Sequence, residues 1–289
     1  MTPTTPEADH PLGPGKRAHR LRAELRLLAE LGAAQAPVSL HRLVEELSVS
    51  VATVRRDLAD LEAQGLVVRT HGGARTTAAA VEIPVRLRTG TSPEVKRLIA
   101  RRAATFLPPG PFAVAIGGGT TAAEVARSLV FRADLTILTN SLTTAAEIGG
   151  RQNLRVLVTG GTVRPSSLEI VGALAESSFS ALNTGIAFLG ADGVSAAGGV
   201  TTHDEVEART NAAMVAGAQR SVVVVDSSKI GRVTLAPVAD LAAVDDVVTD
   251  DGAAEADLRA IERAGPRVHV VRRAQRADTD VRRGGGSRT

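Results

Sequence analysis

The chain has 289 residues, 44% hydrophobic and 22% charged, enough to bury a core in two domains and too apolar for a disordered polymer. No run of ~18 apolar residues exists, which excludes a membrane-spanning helix; there is no cysteine, which excludes disulfides, thiolate metal sites and a cysteine nucleophile; and the first twenty residues lack the apolar stretch of a secretory signal, so a cytoplasmic protein is expected. The net charge of +3 and pI near 10.1 do not themselves argue for nucleic acid: Lys16, Lys96 and Lys229 are the only lysines, Tyr and Cys are absent as alkaline titrants, and nine arginines fall within residues 259–289.

Residues 1–15 carry Pro3, Pro6, Pro11 and Pro14 with almost no large apolar group, and read as a disordered arm. Over residues 16–76 the pattern is short and helical. Leu21, Leu25, Leu28 and Leu31 mark one face of a helix that Gly32 and Pro37 end. Ser39 can cap a second helix bearing Leu40, Leu43, Val44 and Leu47. Ser50 can cap a third, with Val51, Val54, Leu58 and Leu61 inward and Gly65 as its stop. LVVRTHGGAR then reads as a hairpin closed by a glycine pair. Three short helices and a hairpin make a winged helix-turn-helix.

Residues 77–92 predict a linker with a short anchor around Ile83–Leu87. Over 93–271 the period changes. PFAVAI, LTILT, LRVLVTG, TGIAFLG, SVVVVD and VDDVVTD are nearly continuous apolar runs, mostly separated by helical segments such as Thr121–Leu129, Leu142–Ile148 and Val206–Ala218. Strands without polar alternation, separated by helices, predict an α/β domain with a mainly parallel sheet covered on both faces. Ligands in such sheets bind beyond the carboxyl ends of the strands. Residues 272–289 read as a disordered basic tail.

Two constellations carry chemistry. On a helix starting at Val51 each residue advances about 100°, and the apolar stripe taken from Val51 places Thr53 and Arg56 outward and Arg55 on the flank. Arg56 can then pair with guanine in a major groove, the Thr53 methyl can meet thymine, and Arg55 and the capped start at Ser50 suit backbone phosphates. Asp57 could instead simply partner the arginine pair on a solvated face. In the second domain GGGTTAAEVA (Gly117–Ala126) follows a strand and opens a helix. Its glycines let backbone N–H groups approach an anion, and its threonines add donors. It lacks the Gly-Lys-Ser/Thr ending of a nucleotide loop, which argues against a triphosphate site. Asn140, Asp192 and Lys229 stand at other strand ends, where a carboxylate, an ammonium and an amide together suit a sugar phosphate. No catalytic residue, metal or cofactor is expected.

The segment VSLHRLVEELSVSVATVRRDLADLEAQGLVVRTHGGA (Val38–Ala74) resembles the DeoR (GlpR-type) family of bacterial transcriptional regulators. The resemblance continues from Ile83 to Asp250 through IGGGTTAAEVA, LTNSL, GGTVRPSSLEIVG, LGADGVSAAGGVTT and VVVDSSKIG. It implies operator contacts from Ser50, Thr53, Arg55 and Arg56, with Arg69 and His71 in the wing. It also implies a sensor domain sharing the fold of ribose-5-phosphate isomerases and glucosamine-6-phosphate deaminases. There Gly119, Thr120 and Thr121 would meet a phosphate, and Asn140, Asp192 and Lys229 the rest of a phosphorylated sugar effector. One departure is Val95-Lys96, where the family usually has Glu-Lys. The expectation is a repressor of carbohydrate-metabolism genes, acting on double-stranded operator DNA as a homodimer or homotetramer, since helix-turn-helix proteins commonly read two half-sites.

The rival reading is a sugar-phosphate isomerase, which needs a base between adjacent carbons and groups that hold an enediolate. Glu205 or Glu207 could serve as that base. The isomerases, however, follow Gly-Ala-Asp with Glu, a Lys-Gly-Gly segment and a Glu-Lys pair; Gly193, Ala197 and Asp204-Glu205 stand in those places here.

Overall fold

A computed structural model describes residues 20–28 (Arg22 and Arg26 excepted), 37–77, 82–88 and 92–273. The arm expected over 1–15, the Leu31 end of the first helix and the tail beyond 273 lie outside the described residues.

Residues 20–28 are helical where described, with Leu21, Leu25 and Leu28 buried. There follow β1 (Val38–Ser39), α1 (Leu40–Leu47), α2 (Val51–Ala63), β2 (Val67–Thr70) and β3 (Gly73–Thr76). Local chemistry sets the helix starts: Ser39 Oγ accepts from Arg42 N, and Ser50 Oγ accepts from Thr53 N at 3.2 Å. Ser48, at φ 51°, ends α1 in the left-handed conformation. The hairpin β2–β3 gains a third strand through β1, so the antiparallel order is β1-β3-β2. A Cβ at Gly73 would stand 2.1 Å from the Val38 carbonyl oxygen, so this short pairing requires glycine. Leu25, Leu28, Leu43, Val54 and Leu61 form one buried cluster, and truncating such a leucine typically costs about 2–5 kcal/mol. The winged helix-turn-helix is therefore present as expected.

The single-turn helix α3 (Val85–Arg88) lies between the domains, and the second domain opens with α4 (Pro93–Ala104). Next come β4 (Phe112–Ile116), α5 (Thr120–Leu129), β5 (Leu135–Thr139), α6 (Leu142–Ile148) and β6 (Leu154–Val158). A small antiparallel pair, β7 (Thr162–Arg164) and β8 (Glu169–Val171), precedes α7 (Ala173–Ser180) and β9 (Ile186–Leu189). The chain then makes β10 (Gly193–Ser195), β11 (Gly199–Thr202), α8 (Glu205–Ala216), β12 (Ser221–Val224) and β13 (Ala236–Ala239). It closes with β14 (Asp246–Asp250), α9 (Glu255–Arg263) and β15 (Arg267–Val271).

Seven parallel strands form the central sheet in the order β15-β14-β12-β9-β4-β5-β6. The uninterrupted apolar runs have a simple cause. Along β12, Val222 and Val224 enter one core cluster while Val223 enters the other, and Ile186 and Phe188 of β9 are likewise opposed by Ala187 and Leu189. Side chains alternate between faces, and both faces are buried, by α4, α5 and α6 on one side and α7, α8 and α9 on the other. β15 is an edge strand of only partial burial, and its sequence RVHVV carries too little apolar signal to stand out. The antiparallel set β10-β11-β13 arises from a stretch whose glycines read as turns.

Chain direction across the sheet reverses beside β4: β5 and β6 extend to one side, β9 and β12 to the other. Such a switch point opens a crevice at the carboxyl ends of the strands. The polar loops after β4, β9 and β12 meet there.

Candidate functional site

On the head, α2 buries Thr53, Val54, Asp57, Leu58 and Leu61. Val51 is 44% exposed and Thr53 only 5%. The expected facing of these two residues is thus reversed, and Thr53 does not point outward. The physical reason is local: Thr53 Oγ1 lies 2.8 Å from the capping Ser50 Oγ, which turns the side chain back toward the cap. The buried stripe is centred about 90° away from Val51. Ala52 therefore lies in the middle of the exposed face, flanked by Arg55 and Arg56, both exposed. Asp57 is no partner of this pair. It is fully buried and ion-paired with Arg20. Among the described residues neither Arg55 nor Arg56 makes a salt bridge. In the wing, His71 is exposed and Arg69 is half-exposed, 3.7 Å from Glu62.

Beneath that same helical bundle Glu24 is fully buried, and among the described residues neither of its carboxyl oxygens has a hydrogen-bond partner. Burial, with the Asp57 charge adding and Arg20 opposing, pushes its pKa up to about 8.

In the body, a cavity lined by polar side chains lies at the switch point. One wall is Gly118, Gly119, Thr120 and Thr121. Gly119, at φ 89°, makes the turn into α5, and the positive end of that helix opens on the cavity. A Cβ at Gly118 would overlap the Glu169 side chain, 2.1 Å from Oε1. Opposite stand Asp192, after β9, and Lys229, in the 3-10 turn Ser227–Lys229 after β12; Lys229 Nζ donates to Asp192 Oδ1 at 3.0 Å. Five of the six expected effector residues therefore line one cavity: Gly119, Thr120, Thr121, Asp192 and Lys229.

Asn140 is the exception. It is fully buried and does not line the cavity; its Nδ2 donates to Glu169 Oε2 at 3.1 Å. It holds Glu169, and Glu169 faces the pocket. Burial, reinforced by the Glu207 charge and opposed by the Asn140 and Asn211 hydrogen bonds, raises the Glu169 carboxyl well above the usual carboxylate range. Burial also raises Glu207, which accepts from Thr202 Oγ1 at 2.6 Å. Asp192 goes the other way: burial would raise it, but the Arg88 and Lys229 cations outweigh burial and hold it at about 2. Burial lowers Lys229 despite its partner Asp192.

The residues missed in the sequence come mainly from the linker. The anchor expected at Ile83–Leu87 exists, and Arg88 at its end reaches the pocket: Nη1 donates to Asp192 Oδ1 at 3.1 Å and Nη2 to Glu82 Oε1 at 2.9 Å. Glu82 also receives Arg164, whose guanidinium further meets Asp204 at 3.2 Å and Glu207 at 3.1 Å. Lys96, the lysine of the Val95-Lys96 departure, is buried, lines the cavity and donates to the Arg88 carbonyl at 3.4 Å. The scarcity that singled out Lys229 applies equally to Lys96.

A winged helix-turn-helix joined to a parallel α/β body with a polar pocket at its switch point is the architecture of a ligand-responsive, DNA-binding transcriptional regulator. Residues 26–79 match the DeoR-like helix-turn-helix domain and residues 91–251 the DeoR C terminal sensor domain. The chain belongs to the DeoR family. It is 35% identical over 240 residues to a putative aga operon transcriptional repressor of Escherichia coli O157:H7, covering 82% of this chain and 89% of that one. It is 34% identical over 223 residues to the glycerol-3-phosphate regulon repressor of Escherichia coli K12, covering 77% and 88%. Among solved structures it overlaps a ribose 5-phosphate isomerase A from Methanocaldococcus jannaschii at 18% identity and a TM-score of 0.32, over 49% of this chain and 54% of that one. Among the described residues no helix is long and apolar enough to cross a membrane.

Proposed function

We propose that the chain is a cytoplasmic repressor of carbohydrate-metabolism genes, with a DNA-reading head over 16–76 and a sensor over 93–271 that binds a phosphorylated sugar or polyol and has no catalytic role. One observation carries the effector reading: the glycine-bounded start of α5 faces the Asp192–Lys229 pair across a single cavity. Helix start and ammonium suit a phosphate, and carboxylates beside it suit hydroxyls. The names of the two repressors above support the same reading. An isomerase reading is weaker because Glu205 is exposed and Glu207 is committed to Thr202 and Arg164. A thermal-shift series with glycerol 3-phosphate, ribose 5-phosphate and fructose 6-phosphate tests it, since a ligand of the native state raises stability. Lys229→Ala should weaken the responding compound by about 1.5–3 kcal/mol, the worth of a hydrogen bond to a charged group, and leave operator binding unchanged. Measurable interconversion of aldose and ketose phosphates by the purified protein would defeat the regulator-only reading.

On the DNA side, Arg56 would read a base edge from the exposed face of α2, with Arg55, Ser50 and the wing residues Arg69 and His71 on the backbone, in a homodimer or homotetramer spanning two half-sites. Arg56→Ala should cost about 1–3 kcal/mol on a selected duplex and relax its sequence preference. Arg55→Ala should weaken all duplexes alike and reduce the salt slope by about one. Fluorescence anisotropy at several salt concentrations separates the two, and isotherms identical to the parent's would refute the assignment.

A further inference from the structure

The segment between the domains is gripped from both sides. On the body side Val85 N donates to Ser166 O at 2.7 Å, and Arg88 holds Asp192. On the head side Leu87 is buried within the head's own apolar cluster, and Arg86 Nε donates to Gln64 Oε1 at 3.0 Å. Adjacent residues of one helical turn thus belong to different domains.

The Asp192 carboxylate is the crowded point of the pocket. Its Oδ1 accepts from both Arg88 and Lys229, and Oδ2 lies 3.3 Å from Thr202 Oγ1. Each carboxylate oxygen offers about two acceptor directions, so both directions of Oδ1 are taken by cations. A polyol hydroxyl that donates to Oδ1 must displace one of them. A phosphate offers Arg88 a bidentate partner, which a guanidinium fork matches better than a shared carboxylate oxygen. Both events pull Arg88 in the same sense.

We infer that Arg88 is the clasp between pocket and head: a phosphorylated polyol and α3 compete for the Asp192 carboxylate, and the winner sets whether the DNA-reading head is held to the sensor. This rests on the effector reading above and assigns its regulation. Arg88 keeps Glu82 and the Ile83 carbonyl at 2.5 Å as local partners, so its release from Asp192 frees α3 from the pocket while Leu87 stays in the head core. A ligand biases such an element only through its differential affinity for the two arrangements, and operator DNA must weaken effector binding by the same factor.

The test uses the full chain, a duplex it selects from a random library, and four probes: inorganic phosphate, glycerol 3-phosphate, ribose 5-phosphate and fructose 6-phosphate. Arg88→Ala should bind that duplex at least about tenfold more weakly with no probe present, within the usual range of allosteric coupling. Arg88→Lys should fall between it and the parent. Asp192→Ala cuts the same bond from the other side, so it should match Arg88→Ala, and the double variant should be no weaker than either alone. Melting temperatures for the parent and all four variants identify a variant that fails to fold, and the other single variant then carries the comparison. Parent-like DNA binding by a folded Arg88→Ala or Asp192→Ala, or additive losses in the double variant, would overturn the clasp. A parent whose melting temperature none of the four probes moves would instead reject the effector reading, with the clasp still decided by the DNA measurements.

Discussion

Arg164→Ala should destabilise the sensor by about 3–5 kcal/mol, the usual cost of removing one partner from a buried ion pair. The guanidinium, on β7, touches Glu82, Asp204 and Glu207 at once and is itself 14% exposed. Without it, the Glu82 and Glu207 side chains, 8% and 6% exposed, would lie buried with a charge to shed. The Glu207 carboxyl, already raised by burial, would rise further above the unfolded value of 4.5 in the folded variant, so the variant's deficit is largest at neutral pH and shrinks as pH falls toward that value. Urea unfolding of the full chain at neutral and mildly acidic pH measures both effects. Arg164→Lys keeps the charge without the fork and should recover only part of the loss. A midpoint within about 1 kcal/mol of the parent at both pH values would show that the cluster is satisfied without its arginine.

Glu24→Gln should stabilise the head, by about 1–3 kcal/mol at neutral pH. With its pKa raised to about 8, Glu24 binds a proton more tightly folded than unfolded. The contribution is complete below the unfolded value of 4.5 and is lost as pH rises through about 8. Between these limits head stability falls with pH, at most by about 1.4 kcal/mol per unit. Glutamine has the size of the protonated acid and cannot ionise, so the slope should vanish. Hydrogen exchange of α2 peptides in the full chain, corrected for intrinsic rates across this range, reads the head separately from the sensor. An unchanged pH slope in the variant would assign it to another group.

Much of this architecture was legible because its causes are local. Ser39 and Ser50 cap the helices they precede, and the strand runs are continuous because Val222 through Val224 divide between two buried faces. The Gly119–Thr121 turn and the Asp192 and Lys229 strand ends followed from the same reasoning about strand termini. The facing of α2 departs from its apolar period because Val51, at the helix start, stands exposed while Thr53, bonded to its cap, turns inward. The Arg88–Asp192 and Arg164–Glu82 contacts were not legible because they close over 104 and 82 residues. No local period encodes a pairing at that range. Asn140 had the right chemistry in the right loop, yet Glu169, 29 residues on, stands between it and the cavity.

The shortness of α3 has a consequence of its own. Four residues close barely one turn, and an isolated turn is unfavourable because nucleation fixes several dihedrals for a single hydrogen bond. The joint is therefore helical only while Gln64 and the head core hold one side and Ser166, Asp192 and Lys96 the other. It behaves as a fuse rather than a lever. Freeing either side melts the turn, and the two domains then stop reporting on one another instead of swinging to a second fixed pose. Amide protection at Val85–Arg88 should vanish all at once, a two-level signal from the joint itself.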